Sequence, residues 1–162
     1  MTTTTPDTIP ARLDFDSHAP AFAKALSHLD HAAVRQLDAA GIEHRLRELL
    51  RLRVSQLNGC AYCVDMHSKD ARAVGETQLR LDALPVWRET PFFSAAERAA
   101  LEFAEAMALM ARDHVPAPIF EALARHFGPD QIAALVALVV TVTAWNGIGV
   151  STRTWEPGSY QP

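Results

Sequence analysis

Two cysteines are all that this 162-residue chain contains, and they stand three apart in the segment Asn58 to Ala71, "NGCAYCVDMHSKDA". His67 follows Cys60 and Cys63, and the carboxylate of Glu48 precedes them. A helix turns by about 100° per residue, which sets Cys63 about 60° and His67 about 20° from Cys60. One face then carries two thiols and an imidazole. Asn58-Gly59 tolerates the left-handed backbone that ends a helix, so Cys60 falls at or beside the N-terminus of the next one. Free N–H groups and the helix dipole favour a thiolate there, and the thiolate is the nucleophile. His67, one turn beyond Cys63, can accept or relay the proton. These are the parts of a dithiol redox centre.

Blander readings compete with it. Random placement would set two cysteines three apart in about one case in eighty for a chain of this length. Zinc could take Cys60, Cys63 and His67, but a structural site wants four ligands, and the sequence offers no second Cys/His cluster. Glu48 could be spent in an ordinary helical ion pair, because Arg45 and Arg51 lie three residues to either side. No metal and no cofactor is expected.

The elements that must position these residues read as helices throughout. "APAFAKALSHLDHAAVRQLDAAG" sets Phe22, Leu26 and Leu29 at helical spacing and stops at Gly41. "IEHRLRELLRLRVSQL" places Leu46, Leu49, Leu50 and Leu57 on a broad apolar stripe, with the arginines between Arg45 and Arg53 expected on a solvated face. The cysteine segment runs to Gly75, and "TQLRLDAL" predicts a short helix. Ser94 and Glu97 form a capping box for "SAAERAALEFAEAMALMA". "PAPIFEALARHFG" opens on proline and closes on glycine, and a last helix runs from near Asp130 to about Ile148. His28 and His31 flank Asp30 on what reads as a solvated face, and Trp145 and Asn146 read as packing residues. No alternating strand pattern reaches usable length. The expectation is an all-α bundle of six or seven helices, with a flexible arm over residues 1–10 and one helical domain over 11–162.

Composition narrows the function classes. At 49% hydrophobic and 21% charged, the chain is ordinary for a folded protein, and a net charge of -4 gives no basic face for nucleic acid. The apolar run Ile132 to Trp145 is fourteen residues broken by threonines, short for a membrane span and suited to a buried helix. "MTTTTPDTIP" lacks the basic start and apolar stretch of a secretory signal. A cytoplasmic, reducing location is therefore expected, where a cysteine pair is not a mere staple.

The segment "ELLRLRVSQLNGCAYCVDMHSKDA" resembles the AhpD-like alkyl hydroperoxidase branch of the carboxymuconolactone decarboxylase superfamily. That family's motif is a glutamate, eleven residues, Cys-x2-Cys, three residues and a histidine, matched here by Glu48, Cys60, Cys63 and His67. The likeness extends through "ERAALEFAEAM" to the end of the last helix. It implies an AhpD-like helical fold, assembly into a trimer or hexamer, an organic hydroperoxide substrate and a dithiol or protein electron donor. It also implies that His67 and Glu48 form the proton relay, with Cys63 activated and Cys60 closing the disulfide. The helix-terminus argument instead makes Cys60 the more acidic thiol, so the order of attack stays open. Where well-known members carry a histidine before the second cysteine, this chain has Tyr62, a poor base at neutral pH.

A thiol-dependent peroxidase is thus the leading expectation. A decarboxylase of the carboxymuconolactone type is the alternative within the superfamily, but such members generally lack the cysteine pair. A non-enzymatic redox sensor is the alternative outside enzymology, and steady turnover with peroxide and dithiol separates the two.

Overall fold

The computed structural model describes residues 9–162, so most of the arm expected over residues 1–10 lies outside the described residues. Among these residues there are helices and turns and no strand, as the periodicity predicts. The elements are α1 (Phe15–His18), α2 (Pro20–Ala39), α3 (His44–Asn58), α4 (Ala61–Ala73) and α5 (Gln78–Ala83). After a 3₁₀ segment (Leu84–Glu89) come α6 (Ala95–Ala108), α7 (Met110–Asp113), α8 (Ala117–Ala124) and α9 (Pro129–Thr152). Six of these run eight residues or more, in line with the predicted bundle. The capping box forms as expected, with Ser94 Oγ accepting from Glu97 N–H and Glu97 accepting from Ser94 N–H.

α9 packs against α2, α3, α4, α6 and α8. Leu135, Leu138 and Val139 are buried, and they meet Leu49, Leu50 and Leu52 of α3 and Leu101 of α6 in one core. Removing one such leucine side chain costs about 2–5 kcal/mol, because the cavity left behind relaxes only in part. By length and composition α9 could cross a membrane, with a mean hydropathy of 1.9 over its most apolar stretch. Here Ile132, Leu135, Leu138 and Val142 are buried in the core, while Val140 and Val150 are exposed. The helix runs past the expected Ile148 to Thr152, which puts Gly149 inside it.

Two local expectations are corrected. The arginines of α3 do not form a solvated face: Arg47 is 4% exposed and reaches Ile42 O and Asp38, while Arg53 bonds Glu105 on α6. Only Arg45 of this set lies in the open, paired with Glu43. Each inward guanidinium keeps a partner, since burying a charge without one is far costlier than the pair itself. In α2 the apolar spacing is helical but its outer members are not core. Leu26, Ala33 and Leu37 are buried, whereas Phe22 and Leu29 are exposed.

Candidate functional site

α3 stops at Gly59, whose φ of 73° is the left-handed conformation that an L side chain adopts only at a cost. Cys60 follows as the N-cap of α4, its Sγ accepting the N–H of Cys63 at 3.4 Å. The two cysteines are joined as a disulfide with Cα atoms 5.3 Å apart, Cys60 from the extended cap position and Cys63 from the first turn of α4. Both are 2% exposed.

α3 and α4 lie side by side, and this contact brings Glu48 to His67 across nineteen positions of sequence. His67 Nδ1 lies 3.0 Å from Glu48 Oε2, and Arg51 Nη1 lies 2.6 Å from Glu48 Oε1. One carboxylate thus serves both the expected relay and the expected ion pair, one oxygen to each. Burial alone would push the Glu48 carboxyl up, but the His67 hydrogen bond and the Arg51 guanidinium prevail and hold it below the ordinary range. A carboxylate only accepts, so Nδ1 carries the hydrogen of this bond and Nε2 keeps a lone pair when the ring is neutral.

Tyr62, Cys63, Met66 and His67 border a cavity of about 430 Å³ that is also lined by Val142 and Trp145 of α9 and by Trp155. Cys63 borders this cavity, whereas Cys60 Sγ is turned toward α9. A Cβ placed on Gly149 would sit 2.8 Å from that sulfur. α9 is held at this depth by Asn146, which donates to Ser55 Oγ and accepts from Asn58 Nδ2, both at 3.0 Å. Asn146, which as a sequence feature reads as packing, is a buried polar clamp one turn from Gly149. Gly149→Ala should therefore lower the melting temperature of the oxidised protein by several degrees, since overpacking costs about 1–3 kcal/mol. The reduced form, in which the Cys60 side chain can rotate, should lose less. Identical melting curves for parent and variant in the oxidised state would disprove the tight contact.

The C-terminal segment supplies parts that no motif announced. Trp155 meets Tyr62 with ring centroids 5.6 Å apart and Trp145 at 5.7 Å, and its indole N–H donates to Asp16. Beyond it, Gly158 N–H bonds Asp65, Lys69 reaches the Tyr160 carbonyl, and the Tyr160 hydroxyl donates to Asp70 at 2.7 Å. That bond to Asp70 pushes the Tyr160 phenol up to about 12. Tyr62 is also raised, by burial and by Asp65 and Asp70, which removes it further from service as a base. The single signal in the sequence was an aromatic pair in an otherwise polar tail.

The residues that could hold a metal are not the cysteine set. Glu48, His67 and Asp70 bring ligand-capable atoms within 4.8 Å of one another. Arg51 and Tyr160 already engage the two carboxylates, so a cation would have to displace both donors. Elemental analysis of the purified protein is expected to find no stoichiometric metal, and one zinc per chain would overturn that expectation.

A sequence profile of the carboxymuconolactone decarboxylase family matches residues 20–106, which span Glu48, His67 and both cysteines. The chain belongs to that family. It is 39% identical to the uncharacterized protein YdfG of Bacillus subtilis (strain 168) over 112 residues, 69% of this chain and 76% of the relative. Among solved structures it resembles ATU0492 from Agrobacterium tumefaciens, a protein of unknown function carrying the AhpD antioxidant-defence designation. The TM-score is 0.84 with 33% identity, over 91% of this chain and 99% of the other. The debrominase Bmp8 shares the fold at a TM-score of 0.75 and 23% identity, over 88% of this chain and 74% of its own. This chain is an AhpD-like member of the family, and relatives of its fold serve more than one chemistry.

Proposed function

We propose that this AhpD-like protein is a thiol-dependent peroxidase that reduces an organic hydroperoxide at Cys63. The observation that carries the reading is that Cys63, bonded to Cys60, and His67, itself held by Glu48, line one cavity of substrate size. With the pair reduced, His67 takes the Cys63 thiol proton and the thiolate attacks the outer peroxide oxygen. The O–O bond breaks, Cys63 becomes a sulfenic acid, and the leaving alkoxide recovers a proton as the alcohol. Cys60 thiolate then attacks Cys63 Sγ, forming the disulfide and expelling the hydroxyl as water.

The two arguments about the thiols assign two different roles. Cys63 borders the cavity and meets the peroxide, whereas Cys60, accepting the Cys63 N–H at the helix start, is the better leaving group. A donor thiolate attacks Cys63 Sγ and releases Cys60 as thiolate. Its second thiol then resolves the mixed disulfide, leaving the donor oxidised and both cysteines reduced. A low-pKa leaving thiol speeds this step. The donor is a dithiol or a protein carrying one, the compartment is a reducing one such as the cytoplasm, and the working form is a trimer or hexamer.

The test is peroxide consumption with an organic hydroperoxide and a panel of small and protein dithiols. Multiple turnovers are expected with at least one donor. One oxidation per chain without turnover would leave the redox-sensor reading.

A further inference from the structure

The cavity beside Cys63 has a chemistry of its own that the dithiol does not require. Its walls combine three aromatic rings, Trp155 packed against both Tyr62 and Trp145, with three carboxylates, Asp16, Asp30 and Asp70. Arg51 is the one guanidinium on the lining, and Glu48 already neutralises it. Lys69, nearby on α4, is bound to Asp65 and the Tyr160 carbonyl. The donors that meet Asp16 and Asp70 are an indole N–H and a phenol, neutral groups that leave each carboxylate its charge. Asp30, half-buried on α2, has no side-chain hydrogen bond or ion pair among the described residues. A cavity of about 430 Å³ is large enough for a small organic molecule.

Aromatic faces carry negative quadrupole potential and attract cations that a carboxylate alone would bind only weakly in water. Carboxylates at the rim add long-range attraction that a low-dielectric wall focuses. An organic anion meets the opposite field and finds the guanidinium already taken. From this we infer that the cavity selects an organic cation, an amine or quaternary ammonium group on an apolar body, as its substrate or ligand. The inference names the substrate class of the thiol site and rests on the peroxidase reading only for which end of the molecule reacts.

Binding can be read without turnover, because Trp145 and Trp155 lie in the cavity wall and their fluorescence reports occupancy. The oxidised protein would be titrated with benzyltrimethylammonium, benzyl alcohol and benzoate at low and high salt. The cation is expected to bind at least fivefold more tightly than the alcohol and the anion more weakly than either, with the cation's advantage shrinking at high salt. Asp30→Asn should cut that advantage about threefold or more and leave affinity for the alcohol unchanged. A cation advantage below fivefold in the parent protein, or tighter binding of benzoate, would overturn the inference whatever the variant does. Cation selectivity without peroxide turnover would sink the peroxidase reading and leave this one standing. Brisk turnover without cation selectivity would do the reverse.

Discussion

Cys63→Ser is expected to abolish peroxide-dependent turnover, and Cys60→Ser to stop it after one oxidation per chain. The first variant removes the sulfur that borders the cavity beside His67. The second leaves that sulfur in place but removes its partner, so the sulfenic acid has no resolving thiol. Mass spectrometry of Cys60→Ser treated with peroxide alone should find an added oxygen on Cys63. Treated parent protein should show the intramolecular bridge and two thiols protected from alkylation. If Cys63→Ser stopped after one oxidation per chain while Cys60→Ser did not react at all, the two roles would have to be exchanged. If both cysteines of the parent stayed open to alkylation after peroxide, the dithiol chemistry itself would be lost.

His67→Ala and Glu48→Gln should each slow the peroxide step by about a hundredfold to ten-thousandfold, the usual worth of a positioned base. The double variant should be little worse than the slower single, because members of one relay fail together. Stability cannot separate the relay from the ion pair, since the same carboxylate makes both contacts. Glu48→Gln leaves Arg51 without its anion at a site where both side chains are mostly buried, so some loss of stability is expected on either view. The rate is the discriminating readout. Unaltered turnover in a folded Glu48→Gln protein would reduce Glu48 to an ion-pair residue. The pH behaviour has a definite sign: the folded-state pKa of Glu48 lies below its unfolded value. Its contribution to stability is present above the unfolded carboxyl pKa and is lost as pH falls through the folded one. Glu48→Gln should flatten that part of the acid limb.

The fold was legible because its signals are local. Gly59 and the Ser94 capping box act within a few residues and formed as expected. The α3 stripe, by contrast, buried Leu46, Leu49 and Leu50 but left Leu57 half-buried and took in Leu52 and Val54. Helix ends were less legible. The segment from Ser94 broke at Leu109 into α6 and α7, and α9 continued four residues beyond Ile148. The inward arginines were misread for a related reason. Nothing in "HRLRELLRLR" tells that Glu105 waits on α6 or that the Ile42 carbonyl is open to Arg47.

By itself the sequence determined which chemistry was possible: two thiols and an imidazole at helical spacing behind a helix stop, with a glutamate upstream. The step from Cys63 to His67 lies within α4, where 3.6 residues per turn is enough to derive it, and Cys60 caps that helix. Tertiary structure alone decided that Glu48 bonds His67 while keeping Arg51, since the outcome depends on how α3 lies on α4. It also decided that Cys63 borders the cavity while Cys60 packs against Gly149, a contact between residues eighty-nine positions apart. Trp145, Trp155, Asp16 and Asp30 meet at that cavity from α9, the C-terminal segment, α1 and α2. No periodicity within one element connects four separate stretches of chain. They converge because α2, α3 and α4 each pack against α9, and α1 packs on α2.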